Sequence, residues 1–364
     1  MSKYIRYRGF DWFLLGLVLL ISALGVMEIY SATYRTRFAG AHEKQVYWIL
    51  AGAVLLLLLS MIDYHALMEH IPLVYLASVA MLAAVLVVGR KVFGSRRWIP
   101  LAGGFHFQVS EFVKLVIILA MARYFSEARQ EKVSTSDLAK LGLLVGVPMG
   151  LVLLQPDLGT ALTYVPIVAM AVFLAGIRLK HVAVLALLAA LAMPVAWHFA
   201  LKPYQKARLA TFLNPEGDPL GAGYQLVQSK IAVGSGGLWG KGTAKGTQTQ
   251  LWFLPVPHTD FIFAAFAEEH GFFGVLAALL LYFMVLMRLI HNAQTAPDRA
   301  GVFIVMGVVG LLLFHVLVNV GMVVGYMPIT GIPLPLMSYG GSSVLFTFMA
   351  LGLVNSVRLR RFVN

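Results

Sequence analysis

Glu111 and Lys114 stand three positions apart in an otherwise apolar stretch, a spacing that puts a carboxylate and an ammonium on one helix face. At the centre of a lipid-embedded helix each would cost about 2.5–3.5 kcal/mol to insert, so the two need each other or a wet cavity. They are read as candidate site residues or as a plain ion pair joining helices. Gln155-Pro156-Asp157-Leu158-Gly159-Thr160 lies between two apolar runs, and Pro and Asp commonly start helices, so Asp157 is either a helix start or a functional carboxylate. The glycine-rich run from Gly234 to Thr247 holds Lys241 and is a candidate phosphate nest or a flexible loop; Gly242 after the lysine departs from the nucleotide-binding pattern. A Pro-rich approach, Leu254-Pro255-Val256-Pro257, delivers Asp260 to the edge of the next apolar run, where it is a candidate base or a cap for the helix that follows.

The elements that position these residues follow from composition. Of 364 residues, 60% are hydrophobic and 12% charged, with a mean hydropathy of +0.82. Soluble domains carry about a quarter of their residues charged, so the globular soluble class is excluded and the membrane class remains. The net charge of +12 sits in short clusters between apolar runs, which points to anionic lipid and an anionic substrate rather than to nucleic acid. The absence of cysteine excludes thiol chemistry and disulfides.

A span needs roughly 20 apolar residues, and that window finds about ten. They are Phe10 to Tyr30, Val46 to Ile62, Leu73 to Val88, Glu111 to Phe125, Leu141 to Leu154, Leu158 to Ile177, Val182 to Leu201, Gly271 to Ile290, Gly301 to Gly325 and Val344 to Val357. The expected fold is therefore all-α and polytopic, one transmembrane domain over residues 1–364 with a large extracytoplasmic loop at 202–260. An even count puts both termini on one side. Lys3, Arg6, Arg8, Arg129, Lys132, Lys140, Arg178, Lys180 and the tail arginines then share a face, which the positive-inside rule makes cytoplasmic.

Arg90, Lys91, Arg96 and Arg97 break that rule in a short outer loop beside Trp98, which suggests a bound anion. In the long loop, Tyr224, Val227 and Ile231 form an apolar stripe on a short helix expected in the interface. A continuous helix from Phe261 to Ile290 would run about 45 Å, too long for one untilted span. Glu268, Glu269 and His270 are therefore expected in a buried or wet outer half-turn rather than against lipid.

Several stretches together resemble the SEDS family of cell-wall polymerases, in the family's order over nearly the whole chain. They are Ser95-Arg96-Arg97-Trp98-Ile99-Pro100, Ser110-Glu111-Phe112-Val113-Lys114, the Gln155 to Ala161 stretch, the glycine-rich loop, Thr259-Asp260-Phe261-Ile262-Phe263 and, most specific, Pro328 to Ser343 with its Ser338-Tyr339-Gly340-Gly341 core. The resemblance implies glycosyl transfer on lipid II, the undecaprenyl-pyrophosphate disaccharide-pentapeptide, in cell-wall elongation. It also implies a class B penicillin-binding protein as partner, other membrane proteins of the elongation complex, and an inner-membrane site facing the periplasm.

Read onto this sequence, an α-linked donor gives a β-linked product by one inverting displacement that needs one base and no covalent nucleophile. The resemblance puts that base at Asp260. The candidate substrate-binding set is Arg96, Arg97, Trp98, Glu111, Lys114, Asp157, Gln228 and Lys241. A divalent cation on Glu111 or Asp157 is a second source of positive charge for the leaving pyrophosphate, and oxygen-only ligation suits magnesium or manganese; no nucleotide is expected. The competing reading is a lipid II flippase, against which the polar candidates gather at the outer edge instead of lining a path across the bilayer.

Overall fold

The computed structural model describes residues 9–92, 95–100, 106–128, 132–195, 197–198, 201–218 and 221–361. The basic residues Lys3, Arg6, Arg8 and Arg129 lie outside them. With no water to satisfy backbone groups in a bilayer, a spanning chain of this composition has to close its hydrogen bonds within helices. The helices are α1 (Trp12–Thr33), α2 (Ala41–Met61), α3 (Tyr64–Glu69), α4 (Ile71–Val88), α5 (Val109–Glu127), α6 (Thr135–Leu154), α7 (Leu158–Leu162), α8 (Tyr164–Leu174), α9 (Leu179–Val195), α10 (Pro203–Leu213), α11 (Ala222–Ser235), α12 (Thr247–Gln250), α13 (Ile262–Gln294), α14 (Arg299–Val324) and α15 (Gly341–Leu359).

Seven of these, α1, α2, α4, α6, α13, α14 and α15, are long and apolar enough to cross a membrane, and α7 with α8, and α9, are shorter apolar stretches. With α5, which carries Glu111 and Lys114, a helix stands in each of the ten expected windows. The sixth window is broken at Thr163. Pro166 in the first turn of α8 has no N–H to donate to the carbonyl of Leu162, and Thr163 closes the preceding turn through Oγ1 on the carbonyl of Thr160 at 2.6 Å. A small antiparallel sheet, β1 (Arg90–Val92), β2 (Ser95–Pro100) and β3 (His106–Phe107), occupies the short basic loop between α4 and α5, the one departure from an all-helical chain among the described residues.

The centre of the bundle is α14, which packs against α5, α8 and α13, while α15 runs along α2. Burial follows: 72% of the apolar window of α14 and 78% of that of α15 are inside the protein, against 17% for α4, where Leu82 and Val85 are buried but Leu73, Val74, Leu76, Val87 and Val88 face outward. Polar termini are capped where they can be. Asp11 accepts from Leu14 N at 3.2 Å, Asp298 from Gly301 N at 2.7 Å, and Ser134 with Asp137 forms a capping box on α6.

Two features of α11 and α13 shape the end of the bundle near Gly271. On α11 the buried side carries Leu226, Ser229 and Ala232, with the Ser229 hydroxyl donating to Val323 O at 2.8 Å. Val227 and Ile231, of the apolar stripe, are on the exposed side, opposite the face through which α11 approaches α13 and α14. α13 is broken at Gly271, with φ 64° and ψ −165°. The groups freed at the break are taken by the glycine-rich loop: Phe272 N and Phe273 N donate to Gly237 O and Leu238 O at 2.8 and 3.2 Å, while Lys241 N and Gly242 N donate to Glu268 O and Glu269 O at 3.0 and 2.9 Å.

Candidate active site

Asp260 sits in the turn before α13, where three loops meet. Its backbone carbonyl accepts from Asn319 Nδ2 at 2.9 Å, and the same amide donates to Ile332 O at 2.8 Å. Ser338 Oγ donates to Thr259 O at 2.8 Å and Tyr339 N to His258 O at 2.9 Å, so the Ile332 to Tyr339 loop holds the Asp260 turn from one side. Gly331, with φ +73°, lets that loop pass the carboxylate: a Cβ there would be 3.3 Å from Asp260 Oδ2 and 3.9 Å from Arg208 Nη1. A carboxylate and a guanidinium therefore flank one glycine. Burial raises the pKa of Asp260 above the usual carboxylate range; Arg208 and Arg97 pull it back down and Asp157 pushes it further up. His258, buried between the rings of Phe38 and Tyr339, is lowered to about 4 by burial, so it is neutral near pH 7.

Arg97 comes from β2 and pairs with Asp157 at 3.3 Å, its guanidinium 5.0 Å from the centroid of the half-buried Trp98 ring. Asp157 is a helix start that also holds partners beyond its own helix. It caps α7, accepting from Thr160 N at 3.2 Å and Thr160 Oγ1 at 3.0 Å, and its second oxygen also takes Gln108 Nε2 at 3.0 Å. Gly159 brings this turn against the Thr330 carbonyl, 2.7 Å from where a Cβ would be, so the Asp157 turn and the Gly331 loop share one wall.

The other candidates lie elsewhere. Arg96 is exposed and donates to Leu86 O at 3.1 Å, closing the end of α4. Glu111 and Lys114 form a sealed pair in α5, Nζ at 2.9 Å from both carboxylate oxygens, Lys114 fully buried with Nζ 4.4 Å from the Phe346 ring centroid. Lys241, in the loop between α11 and α12, donates at 2.8 Å to each of Ser235 Oγ, Thr247 Oγ1 and Glu268 Oε1, the last about two turns along the chain from Asp260. An ammonium has three donors, and these three partners use them. The run is thus neither a free phosphate cradle nor a loose loop; Gly236 and Gly240 are small because a Cβ at either would be 2.1 Å from the carbonyl of Ala267 or Glu269. Gln228 is half-buried on α11, and among the described residues no hydrogen bond ties it to the Asp260 group.

A divalent cation does not fit these donors. Both Glu111 oxygens face Lys114, both Asp157 oxygens already accept, and no group of three or more His, Asp or Glu able to hold a metal occurs among the described residues.

Sequence reasoning passed over Arg208 and Asn319. Arg208 looked like one more loop charge. Asn319 carried a usable signal, a fully buried amide in an apolar span, where a polar side chain needs a structural or functional partner. Asn319→Leu removes both donors and leaves the carbonyls of Asp260 and Ile332 unpaired. The expected result is a loss of about 1–3 kcal/mol in unfolding free energy. A fall in turnover of up to about 10²-fold should accompany it, with substrate affinity less affected, because the carboxylate is no longer held in place. A turnover equal to that of the unsubstituted protein would show that the Asp260 turn is set by its other contacts.

Comparison with known proteins gives a consistent result. The FTSW_RODA_SPOVE family profile, described as cell cycle protein, matches residues 4–361. The peptidoglycan glycosyltransferase RodA of Treponema pallidum (strain Nichols) is 35% identical over 434 aligned residues, covering 98% of this chain and 100% of the relative. The peptidoglycan glycosyltransferase MrdB of Escherichia coli (strain K12) is 37% identical over 348 residues, covering 95% and 92%. A chain from a structure describing structural coordination of polymerization and crosslinking by a peptidoglycan synthase complex superposes with a TM-score of 0.84 at 38% identity, over 98% of this chain and 99% of that one.

Proposed function

The chain belongs to the FTSW_RODA_SPOVE family of cell cycle proteins and is a multi-pass membrane peptidoglycan glycosyltransferase; from that premise we propose that it polymerises lipid II by inverting transfer with Asp260 as general base. The observation that carries the reading is the Asp260 turn, where a half-buried carboxylate of raised pKa lies between Arg208 and Arg97.

In the proposed step a glucosamine hydroxyl of the acceptor attacks the anomeric carbon of the donor's muramic acid. The new C–O bond forms as the hydroxyl proton passes to Asp260, and the bond to the pyrophosphate breaks with its electron pair on the leaving lipid pyrophosphate. Arg208 and Arg97 stabilise the charge that develops there, and Trp98 gives the site an aromatic wall at the interface. A base with two cations beside it supplies both the proton acceptor and the positive charge that an inverting transfer from a pyrophosphate requires. The site is assigned to the outer face of the inner membrane and both termini to the cytoplasm, because the basic tail Arg358, Arg360 and Arg361 lies at the opposite end of the chain's spans. The partner is assigned as a class B penicillin-binding protein, supported by the similar chain that works within a peptidoglycan synthase complex.

The test is reconstitution: purified protein with its partner, lipid II in detergent and a transpeptidase inhibitor, products resolved on a gel. Glycan polymer supports the reading; leaflet exchange of lipid II without polymer would overturn it. Arg208→Gln sharpens the test. Loss of one charge from the leaving group should lower polymerisation by about 10²-fold. Since Arg208 lowers the pKa of Asp260, removing it should also move the acidic limb of the pH–rate profile upward. A limb that stays in place would separate Arg208 from the base.

A further inference from the structure

At the end of the bundle away from Asp260, about 40 Å along α13, a cleft of about 290 Å³ opens between α1 and α13, lined by Phe13, Phe283, Met284, Met287, Arg288 and His291. Phe13 and Phe283 are 57% and 58% exposed, as is normal for a wall that meets acyl chains. What is not explained by hydrocarbon contact is the cation within that wall. Arg288 Nε is fixed on Asp11, 3.0 and 2.8 Å from its two oxygens, and its guanidinium lies 5.6 Å from the Phe13 ring centroid. Nε takes the buried carboxylate, and among the described residues no bond occupies the two amino groups at the other edge of the fork.

Charge counting favours an anion there. Asp11 also meets Arg358 at 3.3 Å, so one carboxylate faces two guanidiniums and the group keeps one positive charge in excess. Burial of Asp11 works to raise its pKa, but Arg288, Asn292, the Leu14 amide and Arg358 together hold it below the usual range, so the clamp stays charged near neutral pH. His291, exposed on the last turn of α13, adds an N–H donor at the same mouth.

We propose that this cleft is a binding site for an anionic phospholipid, its phosphate on the amino groups of Arg288 and the ring of His291 and one acyl chain along Phe13, Phe283 and Met287. A soluble anion would use the cations and leave the apolar wall uncovered; a neutral lipid would use the wall and leave the excess positive charge of the Arg288, Arg358 and Asp11 group unmatched. The site is separate from Asp260 and does not depend on the catalytic reading. It ties a lipid to the far end of the helix whose near end follows the base.

The experiment uses the purified protein in a neutral detergent with phosphatidylglycerol, with phosphatidylcholine of the same chains, and with glycerol phosphate as the chain-free anion. Retained lipid is read by native mass spectrometry and stabilisation by thermal unfolding. Phosphatidylglycerol should be retained roughly fivefold over phosphatidylcholine, the ratio one near-surface cation supplies. Glycerol phosphate should stabilise little. Met287→Glu places a like charge in the cleft without touching Asp11 and should abolish the preference, whereas Met287→Gln should keep it; His291→Glu, on the exposed last turn, repeats the test if the first variant does not fold. Equal retention of the two lipids, an unchanged preference in the glutamate variants, or equal stabilisation by glycerol phosphate would each overturn the proposal.

Discussion

Replacing Asp260 by Asn is expected to lower glycan polymerisation by about 10²- to 10⁴-fold, the usual worth of a positioned general base, while the protein stays folded and still binds lipid II. Asn keeps the size of the side chain and loses only the proton acceptor. The contact that fixes this turn is to the backbone carbonyl of Asp260, taken by Asn319 at 2.9 Å, so the substitution leaves it in place. The capping alternative does not hold up against the geometry: the N-cap position of α13 is Phe261 and no side chain caps that helix. An effect on helix stability is therefore not what the variant would report. Polymer yield and lipid II binding measured on the same preparation decide the matter, and polymerisation near the unsubstituted rate would remove Asp260 from the mechanism.

Most of the architecture was readable because hydropathy acts locally. A window of apolar residues has one solution in lipid, and each of the ten windows holds a helix. The break in the sixth was also within reach, since Pro166 forbids the hydrogen bond a continuous helix would need. Arg97 stands out by breaking the positive-inside rule, and Asp260 by its Pro-rich approach together with the family resemblance. What sequence could not supply was which polar groups meet. The glycine run 234–247 reads equally as a nest or a linker until Gly271 is seen to break α13, and only then does each glycine have a carbonyl to approach. Lys241 looked like a phosphate ligand because its partner, Glu268, is 27 residues away and stands behind that break. Arg208 was hidden for the same reason: its place beside Asp260 is made by Gly331, 123 positions further on.

The second large effect is expected at Glu111 and Lys114, where one removal should do more harm than two. Lys114→Met leaves the Glu111 carboxylate in the interior with no cation at 2.9 Å, and breaking a buried pair from one side typically destabilises by about 3–5 kcal/mol. Glu111→Gln strands the ammonium instead, although the Phe346 ring at 4.4 Å retains part of its attraction. The double variant removes both charges and should recover most of the lost stability, since a neutral pair of similar volume has no desolvation to offset. Thermal unfolding of the two single variants and the double gives the coupling directly. Polymerisation by the same three proteins then separates the two readings of the pair. If Glu111 and Lys114 only join helices, the double variant regains activity together with stability. If the ammonium or the carboxylate also serves the substrate, the double variant is stable and inactive. Additive losses of stability in the double variant would mean that the two side chains do not depend on each other, and the buried pair in α5 would lose its role as the reason either charge is tolerated there.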